Sequence, residues 1–384
     1  MTYRLTYPSR IRALFLSFSL LSLFSLSSTL FIACSPPEKP VSRQEAMELA
    51  RRIEGAALHR NPGLLDNIID EQAFAKRVVA ESGKFWSSGL RESAIEGIRS
   101  AHFGGQVMQA LGKSGTYQLV KQYEKDNRQH LLFRMYAGGS LNYHDLELMK
   151  KEEDVRASDV YIYLSGENLS KTLSQALMMV QDNMKNMPKD EIEKINGITT
   201  VKTLLAQKDF VKAGKYYDEF PDNFKKEKMF QLIHIQICEG MGDSSYAKAL
   251  GEYRSLFPHD PNMYLMMIDV YVLQKDYPKA LEAVNKLDSM INKDPFQDYY
   301  RGLLYKLMGD TVRSRVYLER LHANMPGFGD GTIELIASYV KTGDLDKAVQ
   351  LARRSRDDRS VSSEKMEMLR TFYPGLQKAM DSRP

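Results

Sequence analysis

The residue types that could carry chemistry are present, but their spacing works against it. His144 and Asp145 would suit a base steadied by a carboxylate, yet they are adjacent in a segment whose alternation marks a strand. Neighbours on a strand point to opposite faces, so the two should not share a site. Gly112-Lys113-Ser114 ends like a phosphate-binding loop. The Gly needed five places earlier is Val107, and the segment runs from helix to strand rather than strand to helix. The seven His residues show no HExxH and no paired Cys spacing, which leaves zinc without a ligand set. Gly327-Phe328-Gly329-Asp330-Gly331 reads as a connecting loop. The expectation is a binding protein, not an enzyme, with no catalytic residue, no metal and no cofactor.

One side chain does have a context that implies chemistry. Arg4, Arg10 and Arg12 form a cationic start, Ala13 to Ala33 carries no charge, and the run ends in Leu30-Phe31-Ile32-Ala33-Cys34 before Ser35-Pro36-Pro37. This resembles the lipobox of bacterial lipoproteins, with Phe31 where that family usually has Leu. The resemblance implies a signal peptide over 1–33, diacylation of Cys34 and a tether over 34–41. It also implies a cell-envelope location, with Ser35 instead of Asp pointing to an outer membrane, facing the periplasm. Two other readings stay open. The apolar run is long enough for an uncleaved membrane anchor, and soluble secretion would need a small-x-small cleavage site, which is not clear near its end. With Cys34 acylated, Cys238 has no disulfide partner, so stability must come from buried area.

Composition sets the remaining bounds. Hydrophobic residues at 43% and charged residues at 27% are globular values, and 384 residues suggest two domains behind the leader. The formal charge of +4 includes the three leader arginines, so the mature chain is close to neutral. Its cations are interleaved with carboxylates and form no stripe for nucleic acid.

From about residue 188 the chain repeats. Lys208-Asp209, Gly242-Asp243, Lys275-Asp276, Gly309-Asp310 and Gly343-Asp344 put an Asp at steps of 34, 33, 34 and 34. Four places after each Asp stands a small residue: Ala213, Ala247, Ala280, Ser314 and Ala348. Five places before stand Leu204, Cys238, Tyr271, Tyr305 and Tyr339. In a helical hairpin, Gly ends the first helix in the left-handed conformation and Asp caps the second. The small residue lets the helices approach, and the residue before the turn fills the space between them. The pattern resembles the tetratricopeptide repeat, with Gly302, Tyr305 and Pro326 in one unit and Tyr264, Tyr271 and Ala280 in another. That resemblance implies an all-α superhelix of about five repeats over 188–384, closed by a capping helix from Ser362 to Phe372 before Pro374.

In that family, recognition lies on a concave face lined by the first helices. The implied lining is Leu232, Gln236 and Glu239, then Leu265, Asp269 and Val272, then Tyr299, Leu303 and Lys306, then Ile333, Ala337 and Val340. Gln236, Glu239, Asp269, Val272, Tyr299, Leu303, Lys306 and Ile333 are its candidate contacts with a protein or peptide partner. Tyr271, Tyr305 and Tyr339 read as core.

Residues 42–187 have a different texture. Ser42 and Glu45 are spaced as a capping box, and Ala46, Leu49, Ala50 and Ile53 share one helical face. Further helices are expected over 64–79 and 92–111. Strands are expected over 117–123, 131–136, 141–149 and 155–164, with Gly138-Gly139 joining the middle pair. A helix from Leu169 to Met187 then leads into the repeats. Helices followed by a four-stranded antiparallel sheet resemble nuclear-transport-factor-2-like and cystatin-like cone folds in element order only. Three functions follow: a lipid-anchored envelope scaffold, small-ligand binding or catalysis in the α+β domain, and, by analogy with repeat-bearing lipoproteins, an outer-membrane assembly factor.

Overall fold

The computed structural model describes residues 39–83, 88–184, 189–260, 262–356, 358 and 360–382. The leader, Cys34 and the boundary at Met187 lie outside the described residues. Contacts divide the chain into two compact units, Met1–Met266 and Met267–Pro384.

The first unit begins with α1 (Arg43–Leu58), whose capping box is formed: the Glu45 N–H donates to Ser42 Oγ, and the Ser42 N–H donates to the Glu45 carboxylate. The Lys150 ammonium also binds that carboxylate at 2.6 Å and, as the largest cause, holds its pKa down at about 2. Each of the two helices expected next is broken into a pair: α2 (Gly63–Asp66) and α3 (Glu71–Glu81), then α4 (Ser88–Ala101) and α5 (Phe103–Leu111). The first break arises because Ile69 bridges to Ala157 and Asp70 starts α3 afresh, accepting the N–H groups of Gln72 and Ala73. The second falls at His102, whose φ of 46° stops a helix.

The sheet has five strands, not four, in the order β1 (Thr116–Lys125), β2 (Arg128–Ala137), β3 (Ser140–Lys151), β4 (Asp154–Ile162) and β5 (Glu167–Asn168). All neighbours are antiparallel. Two residues are too few for alternation to reveal β5. The turns Asp126-Asn127 and Gly138-Gly139 have positive φ at both positions, the geometry that suits a two-residue hairpin. Leu131, Phe133, Leu146 and Val160 are buried, and α1 and α5 pack on the sheet.

Every longer element after the sheet is helical. α6 (Leu169–Met184) packs on α3, α4 and β4. α7 (Lys189–Ala206) runs uninterrupted through Gly197 and pairs with α8 (Phe210–Asp218). After the single turn α9 (Asp222–Lys225), α10 (Lys228–Met241) pairs with α11 (Asp243–Leu256). Val201, Ala213, Tyr217, Phe220 and Phe230 form the core there, with Met179 of α6 against it. The division between units falls within α12 (Met263–Leu273).

In the second unit α13 (Tyr277–Met290), α14 (Gln297–Leu307), α15 (Thr311–Asn324), α16 (Gly329–Lys341) and α17 (Leu345–Arg354) each pack on the next. Gly302 lets α14 approach α15, since a Cβ there would stand 2.8 Å from Leu318. The tail is a pair, α18 (Ser363–Phe372) and α19 (Pro374–Ser382), rather than one capping helix. Pro374 opens α19, where its missing N–H costs nothing, and Leu376, Ala379 and Met380 bury against α16 and α17 residues.

Four of the five repeat turns are built alike. Lys208, Lys275, Gly309 and Gly343 are left-handed, with φ of 61°, 59°, 79° and 80°. The N–H of the following Asp donates five residues back, to Leu204, Tyr271, Tyr305 and Tyr339, closing a Schellman motif. The Asp209, Asp276 and Asp310 carboxylates then accept the N–H of the third residue of the next helix. The second turn departs from this plan. Gly242, at φ 124° and ψ 171°, is itself the cap, and Asp243 is already helical. Measured cap to cap, the spacing Asp209, Gly242, Asp276, Asp310, Asp344 is 33, 34, 34 and 34. The slip puts Tyr246, 4% exposed, where the other repeats have a small residue, and leaves Ala247 half-buried.

These turns make a direct prediction. A non-Gly residue in the left-handed region costs about 1 kcal/mol, so Lys275→Gly should raise stability by about 0.5–1 kcal/mol. Asp310→Ala should lower it by about 1 kcal/mol through loss of the cap. Urea unfolding monitored by circular dichroism gives both values, and a destabilising Lys275→Gly would contradict the turn geometry.

Candidate functional site

The first helices of the hairpins carry the residues expected to meet a partner, and burial sorts them. On α10, Gln236 and Glu239 are half-buried. On α12, Asp269 is buried and Val272 half-buried. On α14, Tyr299 is only 1% exposed and Leu303 is 4% exposed. The Tyr299 ring lies 5.7 Å from Phe296 and 5.0 Å edge-on to Phe328, so it is a core ring and offers almost no surface. Ile333 of α16 is at the edge of burial.

Lys306 keeps a usable surface. Its ammonium pairs with the Glu334 carboxylate at 2.5 Å, joining α14 to α16, and both side chains are under one-fifth exposed. Burial holds the nearby Lys341 ammonium below its usual pKa, with Lys306 pushing it further down and Glu334 opposing. Lys306, Glu334 and Lys341 thus form a charged group between successive first helices. Glu334 directly follows the expected contact Ile333, but only the coordinates connect it to Lys306.

A second ionic group braces the same unit. Arg301 donates to Asp288 at 2.6 Å and to Asp298 at 2.9 Å, and Arg320 binds Asp298 as well. Asp288 and Asp298 are buried. Removing Arg301 would take from the buried Asp288 its paired cation and leave Asp298 to Arg320, so the group is structural.

The repeat turns add a regular cation. Lys279, Arg313 and Lys347 pair with Asp276, Asp310 and Asp344, and lie 5.9, 4.7 and 5.7 Å from the ring centres of Tyr271, Tyr305 and Tyr339. An Asp followed three residues later by Lys or Arg is the sequence signal for this clamp.

In the sheet, the two faces of β3 do separate His144 from Asp145. Asp145 accepts from Tyr123 Oη and lies 3.2 Å from His130 Nδ1. Tyr123 and His130 are opposed across β1 and β2, with their rings stacked at 4.9 Å. Asp145 therefore has a histidine partner, but it comes from another strand. His144 is fully buried and contacts Tyr117 Oη at 3.1 Å through Nδ1 and Asn142 Nδ2 at 3.2 Å through Nε2. Asn142 Oδ1 accepts the N–H groups of Tyr143 and Leu164, which turns its NH₂ toward the imidazole. The network therefore assigns His144 as neutral, with Nε2 accepting and Nδ1–H donating. Burial pushes its pKa down to about 3.

Among the described residues no group of three or more potential ligands could hold a metal, and no helix is long and apolar enough to cross a membrane. No protein-family model matches the chain, and no curated protein matches it. Among solved structures it is similar to a thermophilic TPR protein of Thermus thermophilus, at 16% identity and a TM-score of 0.35, over 48% of this chain and 99% of that one.

The buried imidazole predicts a pH dependence. The unfolded chain protonates this residue near its ordinary 6.5 and the folded chain only near 3. Its contribution is complete above pH 6.5 and is lost as pH falls through that window. Asp159, whose carboxyl burial pushes up to about 6, acts in the opposite sense between 3.8 and 6. Comparing wild type with His144→Gln isolates the histidine. The wild type should lose more stability between pH 7 and 4.5, and parallel profiles would refute the neutral assignment.

Proposed function

We propose that this chain is a scaffold of the bacterial cell envelope, held on a membrane by a lipid on Cys34, that binds a protein or peptide segment and makes or breaks no bond. The observation that supports the reading is the recurrence of one helical hairpin at 33–34 residues, with a turn common to four of the five repeats. We further infer that these hairpins form a superhelix of tetratricopeptide type with the first helices lining its hollow face. The leader ending in Leu30-Phe31-Ile32-Ala33-Cys34 supports the anchor.

The binding face is assigned to the half-buried residues. In the second unit Lys306 and Glu334 offer charge beside the exposed Lys341, and Val272 adds apolar surface. A segment with alternating apolar and charged side chains suits that mixture. Tyr299→Ala is a poor probe of binding, because removing a buried ring costs about 3–5 kcal/mol of stability.

In-cell crosslinking compared between wild type and Lys306→Ala with Glu334→Ala tests the groove. One captured protein should be lost in the double variant while its melting temperature stays within a few degrees. Unchanged capture would reject this face. Cys34→Ala should move the chain from the membrane to the soluble fraction and abolish incorporation of labelled palmitate.

A further inference from the structure

The tip of the β1–β2 hairpin and the end of α3 enclose a cavity of about 280 Å³. It is lined by Arg77, Lys125, Asp126, Arg128, His130 and Glu147. At about 30 Å³ per water, that is room for roughly nine waters, or for a phosphate group with a short organic tail.

Backbone register explains why these side chains meet. The Asp126-Asn127 turn sets Lys125 opposite Arg128, and Tyr123 opposite His130, so all four lie on one face of the ribbon. Glu147 of β3 stands opposite His130 on the same face. Arg77 reaches in from α3, binding Glu147 and lying 3.7 Å from Asp159. Arg128 Nε is 3.2 Å from the same Glu147 oxygen. One carboxylate thus takes two guanidiniums, and the other acid in the lining, Asp126, is at the exposed tip. Lys125 has no ion-pair partner among the described residues. His130 is held in the wall of the cavity by Asp145 through Nδ1.

We propose that this cavity binds a small oxyanion, a phosphate or carboxylate group, gripped by Arg128 and Lys125 from the hairpin tip and by Arg77 from α3. Glu147 orders the two guanidiniums before the ligand arrives, so their planar forks are already aimed. The lining sets three cations against two carboxylates, so a group carrying one negative charge balances it. The site is independent of any partner on the helical repeats, and its failure would leave that reading untouched.

Isothermal titration of the full mature chain with inorganic phosphate, and separately with succinate, at constant ionic strength tests the site. The expected result is saturable one-to-one binding of at least one of the two, with the preferred anion identifying the class. Arg128→Ala should weaken it about tenfold or more, as loss of a charge-assisted contact does. Arg128 also pairs with Glu147, so Lys125→Ala, which breaks no ion pair among the described residues, is the second variant and should weaken binding severalfold with an unchanged circular dichroism spectrum. Absence of binding by both anions, or equal affinity in wild type and both variants, would overturn the proposal.

Discussion

Each pair of helices in the second half depends on reversing the chain within about three residues without leaving backbone groups unsatisfied. A left-handed residue followed by Asp achieves this at four of the five turns. The left-handed residue brings the Asp N–H back onto a carbonyl of the first helix, and at three of the turns the Asp carboxylate accepts an N–H of the second. The same carboxylates hold a Lys or Arg at the third helical position, and from Asp276 onward that cation lies over the Tyr five residues before the Asp. An exposed ion pair alone contributes little. Here it is part of a clamp that ties the end of one helix to the start of the next, and the buried small residue one turn further on sets how closely they approach.

That clamp is local in sequence, which is why the repeats could be read before any coordinates. The left-handed residue, the Asp and the Tyr sit within six positions of one another, and their recurrence at 33–34 residues needs no knowledge of tertiary structure. What escaped was a one-residue slip. The Asp of the second turn looks equivalent to the others, but Gly242 takes over the cap and the frame moves by one, so Tyr246 rather than Ala247 enters the interface. Residue types alone could not distinguish an Asp that caps a helix from one that begins it. Tyr299 illustrates a second limit. Its register on the first helix suggested exposure, yet Phe296 and Phe328 close over it, and the packing of a following loop is not encoded in the period of the helix.

The α+β part was legible in its element types and less so in its partnerships. Alternation located four strands, but the breaks at Asp70 and His102 depend on a bridge to β4 and on backbone conformation. The polar side chains of the sheet are the clearest case. His130 meets Asp145 diagonally across β2 and β3, a relation set by two hairpin registers at once. Cross-strand symmetry about Asp126-Asn127 would have paired Tyr123 with His130 had that turn been recognised. Asn142 and His144 lie on the opposite face, where satisfied hydrogen bonds make a neutral imidazole part of the core.

Val41 is buried and Ser42 opens the capping box that Lys150 locks to β3, so the chain is tied firmly to the sheet domain at that point. Seven peptide units separate Val41 from Cys34, and covalent geometry limits them to about 25 Å. On the lipidated reading, the sheet domain is therefore a short mooring and not a long leash. Its first helix would start within about 25 Å of the headgroups, and a ligand of that domain would have to reach it there.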